Sequence, residues 1–208
     1  MISICLPMGD KVHAGFAHDL AIATGHYVAT QDPEMQFHIR QGTILAEERS
    51  RLCDAALENG ADWLIFIDSD MRFPKDTFSR LLAHGEPVVA VNCSKRRRPV
   101  GPTSRTSPDD LQLDPLWPDI EKKGLEQIAT TGFGVICIHA SVFKGIAYPW
   151  FDTPWIEENE KCIGEDTFFC VRCKEAGIPI YIDHDLSWEV RHIGEHEFGM
   201  EDLLEVMT

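Results

Sequence analysis

The sequence predicts an α/β protein with a mostly parallel central sheet flanked by helices, and three observations carry that expectation. Residues 63–67, Trp-Leu-Ile-Phe-Ile, are five large apolar side chains in a row. The run is too short for a typical helix and too continuous for a half-exposed strand, so it reads as a strand buried on both faces. Strand-like and helix-like segments alternate along most of the chain, the pattern of repeated β-α-β units. Finally, 208 residues with 44% hydrophobic and 25% charged composition suffice for one substantial core. The expected organisation is a single domain over 1–208.

The first strand covers 2–6 and ends at Pro7-Met8-Gly9-Asp10, and a helix follows from about 14 to 24. A strand near 35–40 leads to a helix at about 44–59. There Leu45, Leu52, Ala56 and Leu57 keep near-helical spacing, and Asn59-Gly60 marks the end. After the buried strand at 63–67, Pro74 opens a further helix that His84-Gly85 ends, and residues 87–91 form a strand. Segment 94–127 breaks the regularity. It holds the basic run Lys95-Arg96-Arg97-Arg98 and several Pro, Ser and Thr residues, so it reads as a long irregular loop. A strand at 131–138, a helix at 165–176, a strand at 178–182 and an acidic, helical tail at 197–208 complete the pattern.

The formal charge of −15 is the unusual figure in the composition. An acidic surface repels phosphate backbones and anionic lipid heads, which argues against nucleic-acid or membrane-surface partners. No apolar stretch approaches the roughly 20 residues needed to span a bilayer, and the first residues lack the basic region of a secretory signal. The seven cysteines, an odd number mostly set in apolar segments, suit buried thiols in a reducing compartment. A cytoplasmic location is expected.

The apolar run at 63–67 leads straight into Asp68-Ser69-Asp70. Strand alternation would aim both carboxylates to one side, at the carboxyl end of a central strand, where open α/β sheets bind ligands. Hard divalent cations take oxygen ligands, so the pair is a candidate metal or phosphate-metal site; two turn-forming, solvated aspartates are the plain alternative. Glu165-Asp166 follows Gly164 and opens a helix, where carboxylates are also favoured by the dipole alone. His192 follows the last strand, and a neutral imidazole is a common metal ligand. Cys170-x2-Cys173 with His192-x3-His196 mimics a structural zinc pattern. Its gap of 18 residues exceeds the usual one of about 12–15, and its cysteines fall inside a helix.

Taken in order, these pieces resemble family 2-like glycosyltransferases of the GT-A fold, especially short single-domain bacterial and phage-type members. The carriers are Leu64-Ile65-Phe66-Ile67-Asp68-Ser69-Asp70-Met71, Thr131-Gly132-Phe133-Gly134, Gly164-Glu165-Asp166-Thr167-Phe168-Phe169-Cys170 and His192-Ile193-Gly194. The resemblance implies a nucleotide-diphospho-sugar transferase fold and a metal-dependent transfer of sugar from a nucleoside-diphosphate sugar to an acceptor hydroxyl. It implies Mn2+ or Mg2+ as cofactor, with Asp70 as direct ligand, Asp68 on the ribose or supporting the metal, and His192 as a further ligand. In inverting members the aspartate of the Glu-Asp pair is the general base, which assigns that role to Asp166, with Glu165 orienting it or the acceptor. Retention on the same fold stays open.

The resemblance also places Pro7, Arg49, Asp68 and Ser69 near the nucleotide-sugar. Lys95 and Arg96 follow a strand whose carboxyl end should face the same crevice, where they would meet the donor's phosphates or a charged acceptor. For Arg49 an exposed helix-face position is the alternative, because Ser50 stands where an asparagine is commoner. For Lys95 and Arg96 the alternative is a solvated loop. Gly132 and Gly134 would let backbone approach the sugar, and Trp150, Phe151 and Trp155 would either stack on sugar faces or anchor a loop. No acidic residue that reads the base is evident at the end of the second strand, Met35-Gln36-Phe37-His38-Ile39-Arg40. The acceptor, whether glycan, lipid-linked or small molecule, is not legible. Two other readings stand beside this one. A nucleotidyltransferase would carry a Gly-rich basic loop after the first strand, which Pro7-Met8-Gly9-Asp10-Lys11 matches poorly. A non-catalytic nucleotide-sugar or carbohydrate-binding module would not need Asp68, Asp70, Asp166 and His192 together.

Overall fold

The computed structural model describes residues 1–31, 34–96, 98–106, 114–157, 160–194 and 196–207. Strand β1 (Ile2–Met8), helix α1 (Ala14–Thr30) and strand β2 (Met35–Gln41) form a parallel β-α-β unit. Helix α2 (Leu45–Glu58) returns the chain to strand β3 (Trp63–Ile67), which pairs parallel with the other side of β1. Strand β4 (Met71–Arg72), helix α3 (Thr77–Ala83) and strand β5 (Val88–Ala90) follow. Beyond a long connection come strands β6 (Leu125–Ile128) and β7 (Val135–His139) and the short helix α4 (Val142–Gly145). The hairpin β8 (Trp155–Ile156) and β9 (Lys161–Cys162) leads into helix α5 (Glu165–Glu175). Strand β10 (Ile180–Asp183), helix α6 (His184–Ser187), strands β11 (Arg191–Ile193) and β12 (Glu197–Phe198) and helix α7 (Met200–Met207) complete the described elements.

Among the described residues the central sheet has seven strands in the order β2-β1-β3-β7-β5-β10-β6. Strands β2, β1, β3, β5 and β10 run one way, while β7 and β6 oppose them. The reversal of β7, wedged between β3 and β5, matters for the site. It brings the start of β7 to the same edge as the end of β3, and the Asp68 N–H donates to the Gly134 carbonyl at 3.0 Å.

Strand β3 is buried on both faces, as its apolar run requires. Leu64 and Phe66 pack with Leu52, Cys53 and Ala56 of α2 and Phe169, Cys170 and Cys173 of α5. Ile65 and Ile67 pack on the other face with Phe16, Ala23 and Tyr27 of α1 and Phe78 and Leu81 of α3. Helices α1, α2, α3 and α5 thus pack apolar residues on the sheet, and burying these faces is the main favourable term in the fold.

Several boundaries differ from the sequence expectation. Helix α1 runs on past 24 to Thr30 because Gly25 faces open space, while Tyr27 on the next turn packs edge-on against Phe78, with ring centroids 6.3 Å apart. Strand β1 continues through Pro7, which pairs with Arg40 of β2 beyond the last β3 pairing at Cys5. With a neighbour on one side only, the missing proline N–H is tolerated there. Helix α3 starts at Thr77, not Pro74; the Pro74 carbonyl accepts the Thr77 N–H (3.2 Å) and hydroxyl (2.7 Å) in a leading turn. Within the expected loop 94–127, residues 125–128 are an edge strand paired antiparallel with β10, and 107–113 lie outside the described residues. Strand β7 begins at Val135, after the glycines, and the tail carries β12 before its helix.

A second, three-stranded sheet, β12-β11-β4, sits beside the carboxyl end of β3. Arg72 pins β4 to α1, since its Nε donates to Asp19 Oδ2 at 2.6 Å and its Nη2 to Oδ1 at 3.2 Å. The Phe73 N–H also reaches Asp19, at 3.2 Å. Burial alone would raise the Asp19 carboxyl, but Arg72, His18 and the Phe73 N–H outweigh it and hold it below the usual range. The ionised pairing therefore adds stability above the unfolded-state value, near pH 4, and loses it as the pH falls through the lower folded value. Asp19→Asn is expected to cost about 2 kcal/mol at pH 7, a difference that shrinks below about pH 4. Denaturant melts across pH 2–7 check this; a gap independent of pH would refute the pairing.

Candidate functional site

The site lies where β1 and β3 end. Strand alternation puts Asp68 on the face of Leu64 and Phe66, toward α2 and α5, and there it meets Arg49. Arg49 Nη2 donates to Asp68 Oδ1 at 3.0 Å and lies 3.3 Å from Oδ2. Its Nε lies 3.3 Å from Glu165 Oε1, and its guanidinium rests 4.8 Å from the centre of the Phe133 ring. The Arg49 side chain is only 2% exposed, so the helix-face alternative does not hold. A buried arginine thus ties the end of β3 to the start of α5.

Asp70 turns elsewhere. The strand ends at Ile67, and the Met71 N–H donates to the Asp68 carbonyl at 3.1 Å, closing a tight turn over Ser69 and Asp70. The expectation that both carboxylates project from one strand is therefore corrected: the turn, not alternation, directs Asp70. Pairing of β4 with β11, Met71 opposite His192, then delivers its partner. The Ile193 N–H donates to the Asp70 carbonyl at 2.7 Å, and His192 Nε2 stands 3.3 Å from Asp70 Oδ2. The other ring nitrogen, Nδ1, is 3.1 Å from the Ser94 carbonyl. A carbonyl only accepts, so Nδ1 carries a hydrogen and Nε2 is the atom presented to the carboxylate. Arg96 Nη1 also donates to Asp70 Oδ2.

The two aspartates are pushed apart electrostatically. Loss of water raises the Asp68 carboxyl, Arg49 only partly offsets this, and the nearby Asp70 charge adds to the rise. For Asp70 burial also acts upward, but His192 and Arg96 outweigh it and hold the carboxyl below the usual range. Asp70 is thus the more acidic of the two.

A cleft of about 310 Å³ opens over these groups, lined by Pro7, Met8, Gly9, Arg40, Glu48, Asp68, Ser69, Asp70, Arg96 and His192, with Gly42 and Leu45 at its side. Pro7, Asp68, Ser69 and Arg96 are thereby brought together as their sequence positions suggested; Lys95 is not in the lining. Sequence reasoning missed Arg40 and Glu48, which form a 3.0 Å ion pair across the turn after β2. A side chain at Gly42 would collide with Glu48. The signal was available: β2 is parallel to β1, so its carboxyl end, where Arg40 stands, shares the binding edge.

Asp166 lies in the first turn of α5, half-buried, with Oδ1 accepting the Thr167 N–H at 2.6 Å. A Cβ on Gly132 would press on Thr103 Cβ at 3.3 Å and lie in ordinary contact, 3.8 Å, with Asp166 Oδ2. Glu165 is directed to Arg49, not to Asp166. Gly134 serves packing, since a Cβ there would press on Met71 Sδ at 3.1 Å and Cys93 Sγ at 3.2 Å.

The aromatic residues divide. Phe151 is buried, stacked 5.3 Å from Phe169. Trp150 packs on Phe143 in a separate hollow with Leu57, Ala61 and His139, at the opposite edge of the sheet, so its expected place at the sugar is corrected. Trp155 is 60% exposed on β8, the hairpin that leads into α5. Arg97 and Glu195 lie outside the described residues. Cys170 and Cys173 are fully buried, and burial pushes the Cys170 thiol up to about 12, the opposite of a metal-binding thiolate. Among the described residues no three His, Cys, Asp or Glu side chains gather around one point. Of the three expected ligands, Asp70 and His192 face each other, while Asp68 is held by Arg49. No helix among the described residues is long and apolar enough to cross a membrane.

No family model matches the chain, and no curated protein is similar to it in sequence. Solved structures are similar in fold. The crystal structure of A197 from STIV superposes with a TM-score of 0.60 at 18% identity, over 97% of this chain and 91% of that one. GalNAc-T7, solved with UDP, GalNAc and Mn2+, gives 0.59 at 12% identity over 93% of this chain. S. aureus TarS 1–349 in complex with UDP-GlcNAc gives 0.50 at 14% identity over 88% of this chain. The fold is of the GT-A type. The likeness covers 44% and 56% of the last two chains, so this chain spans about half their length.

Proposed function

We propose that the protein is a glycosyltransferase that moves a sugar from a nucleoside-diphosphate sugar to an acceptor hydroxyl, with a divalent cation held by Asp70 and His192. The observation that carries this reading is the 3.3 Å approach of His192 Nε2 to Asp70 Oδ2, with Nδ1 tied to the Ser94 carbonyl. A carboxylate and an imidazole lone pair repel each other unless a proton or a cation lies between them. One oxygen and one nitrogen ligand, completed by phosphate oxygens and water, suit Mn2+ and, after it, Mg2+.

When bound, such a cation offsets the negative charge that develops on the departing nucleoside diphosphate. The chain's own groups do the rest. Asp68, fixed by Arg49, accepts a hydrogen bond from a ribose hydroxyl, and Arg40 and Glu48 in the cleft lining offer a donor and an acceptor to a base. Asp166, with Oδ1 occupied by Thr167 and Oδ2 beside Gly132, takes the proton of the acceptor hydroxyl, which must come within about 2.6–3.2 Å. That assignment favours inversion. Exposed Trp155, on the hairpin that leads into α5, is a candidate platform for the acceptor or sugar.

The test is a thermal-shift panel of nucleotide-sugars with and without Mn2+, followed by an assay for nucleoside-diphosphate release. A ligand that binds only the folded state raises the melting temperature by mass action, so the hit names the donor. A panel without any Mn2+-dependent shift would overturn the reading.

A further inference from the structure

Arg96, from the longest basic run in this acidic chain, reaches over the cleft to Asp70. Ser94 and Pro102 form a bridge, and the Lys95 N–H donates to the Gly101 carbonyl at 2.9 Å, so Arg96 stands on a loop closed at its base. Its stem passes tightly against the end of β11, since a Cβ on Gly194 would lie 3.1 Å from Arg96 Cβ. From there the guanidinium reaches Asp70 Oδ2, the same oxygen that faces His192 Nε2 at 3.3 Å. The two arginines of the site differ sharply. Arg49 is 2% exposed and locked, whereas Arg96 is 57% exposed and held by this single carboxylate contact among its described bonds.

The geometry points to Arg96 as a resident counter-cation: it caps Asp70 in the free protein and is exchanged onto the donor's diphosphate when nucleotide and divalent cation arrive. This rests on the donor-site reading above. A guanidinium and a divalent cation cannot share one carboxylate oxygen without strong like-charge repulsion. The Arg96 end of this pair is exposed, so its guanidinium is free to leave the carboxylate for another anion. A diphosphate gives the displaced guanidinium a planar, bidentate partner, which arginine matches better than lysine does. The protein therefore takes the cation together with the nucleotide and holds it poorly alone, and the diphosphate is gripped from one side by the cation and from the other by Arg96.

Mn2+ binding followed by electron paramagnetic resonance, with no nucleotide present, reads this without turnover. Arg96→Ala is expected to bind Mn2+ roughly fivefold more tightly than the unchanged protein, and Arg96→Lys to fall between them. Asp70→Asn should remove the binding in either background. In the presence of Mn2+, Arg96→Ala should also bind UDP more weakly. Equal or weaker Mn2+ binding by Arg96→Ala, with Asp70→Asn still abolishing it, overturns the counter-cation while leaving the metal site standing. Undiminished UDP binding by Arg96→Ala overturns the exchange. Mn2+ binding that ignores Asp70 in both backgrounds, or is absent from every variant, overturns the donor-site reading and this inference together.

Discussion

Asp70→Ala is expected to abolish the Mn2+-dependent stabilisation by a nucleotide-sugar, while Asp166→Asn preserves it and lowers turnover by about 10²–10⁴-fold. The two carboxylates stand on different elements and face different partners. Asp70 is held between His192 and Arg96, and Asp166 is set by Thr167 at the head of α5. In the proposed site, removing Asp70 would leave His192 as the lone protein ligand of the pair, so a cation would lose its charged anchor. Removing the Asp166 charge leaves that grip intact and takes away only the acceptor for the hydroxyl proton. Thermal shift measures the first effect and nucleoside-diphosphate release the second. Equal loss of binding and turnover in Asp166→Asn would sink the base assignment, and retained Mn2+ dependence in Asp70→Ala would sink the metal assignment.

Arg49→Met is expected to lower stability by about 3 kcal/mol, because Asp68 and Glu165 are then left facing each other without their buried cation. The figure sits at the low end for a broken buried pair because the Asp68 side chain keeps 29% of its exposure. In a protein of this size that is a fall in melting temperature of roughly 6–12 °C. Adding Glu165→Gln to Arg49→Met removes one of the stranded charges and should recover part of the loss. Calorimetry of the single and double variants measures both effects. A double variant no more stable than Arg49→Met would show that Arg49 acts through packing on Phe133 instead.

How much was legible in the sequence depended on the range of the interactions involved. Strand β3 was readable to the residue, because five consecutive apolar side chains leave a strand no exposed face. The extent of α1 was not, because Gly25 stops a helix only when tertiary contacts do not reward the next turn, and Tyr27 on Phe78 rewards it. Strand β6 was hidden in the 94–127 loop. It is four residues long and owes its existence to β10, a partner more than fifty positions away in sequence.

The site divides in the same way. Asp68, Asp70 and Asp166 could be named from the sequence because they follow a buried strand or open a helix, where chemistry gathers. His192 was named from its place after the other motifs, and the structure sets it inside the short strand β11. Their connections could not be named. The reversed course of β7, the turn that separates Asp70 from Asp68, Arg49 bridging β3 to α5, and Glu48 reaching the end of β2 all join residues distant along the chain. Local propensity carries no record of such pairs; they form only when burial of the helix stripes brings the elements together. Sequence alone determined which groups are available and at which edge of the sheet they stand. Tertiary structure decided which carboxylate is held by a buried arginine and which meets His192 and the exposed Arg96, because only the packing of distant elements brings those partners together.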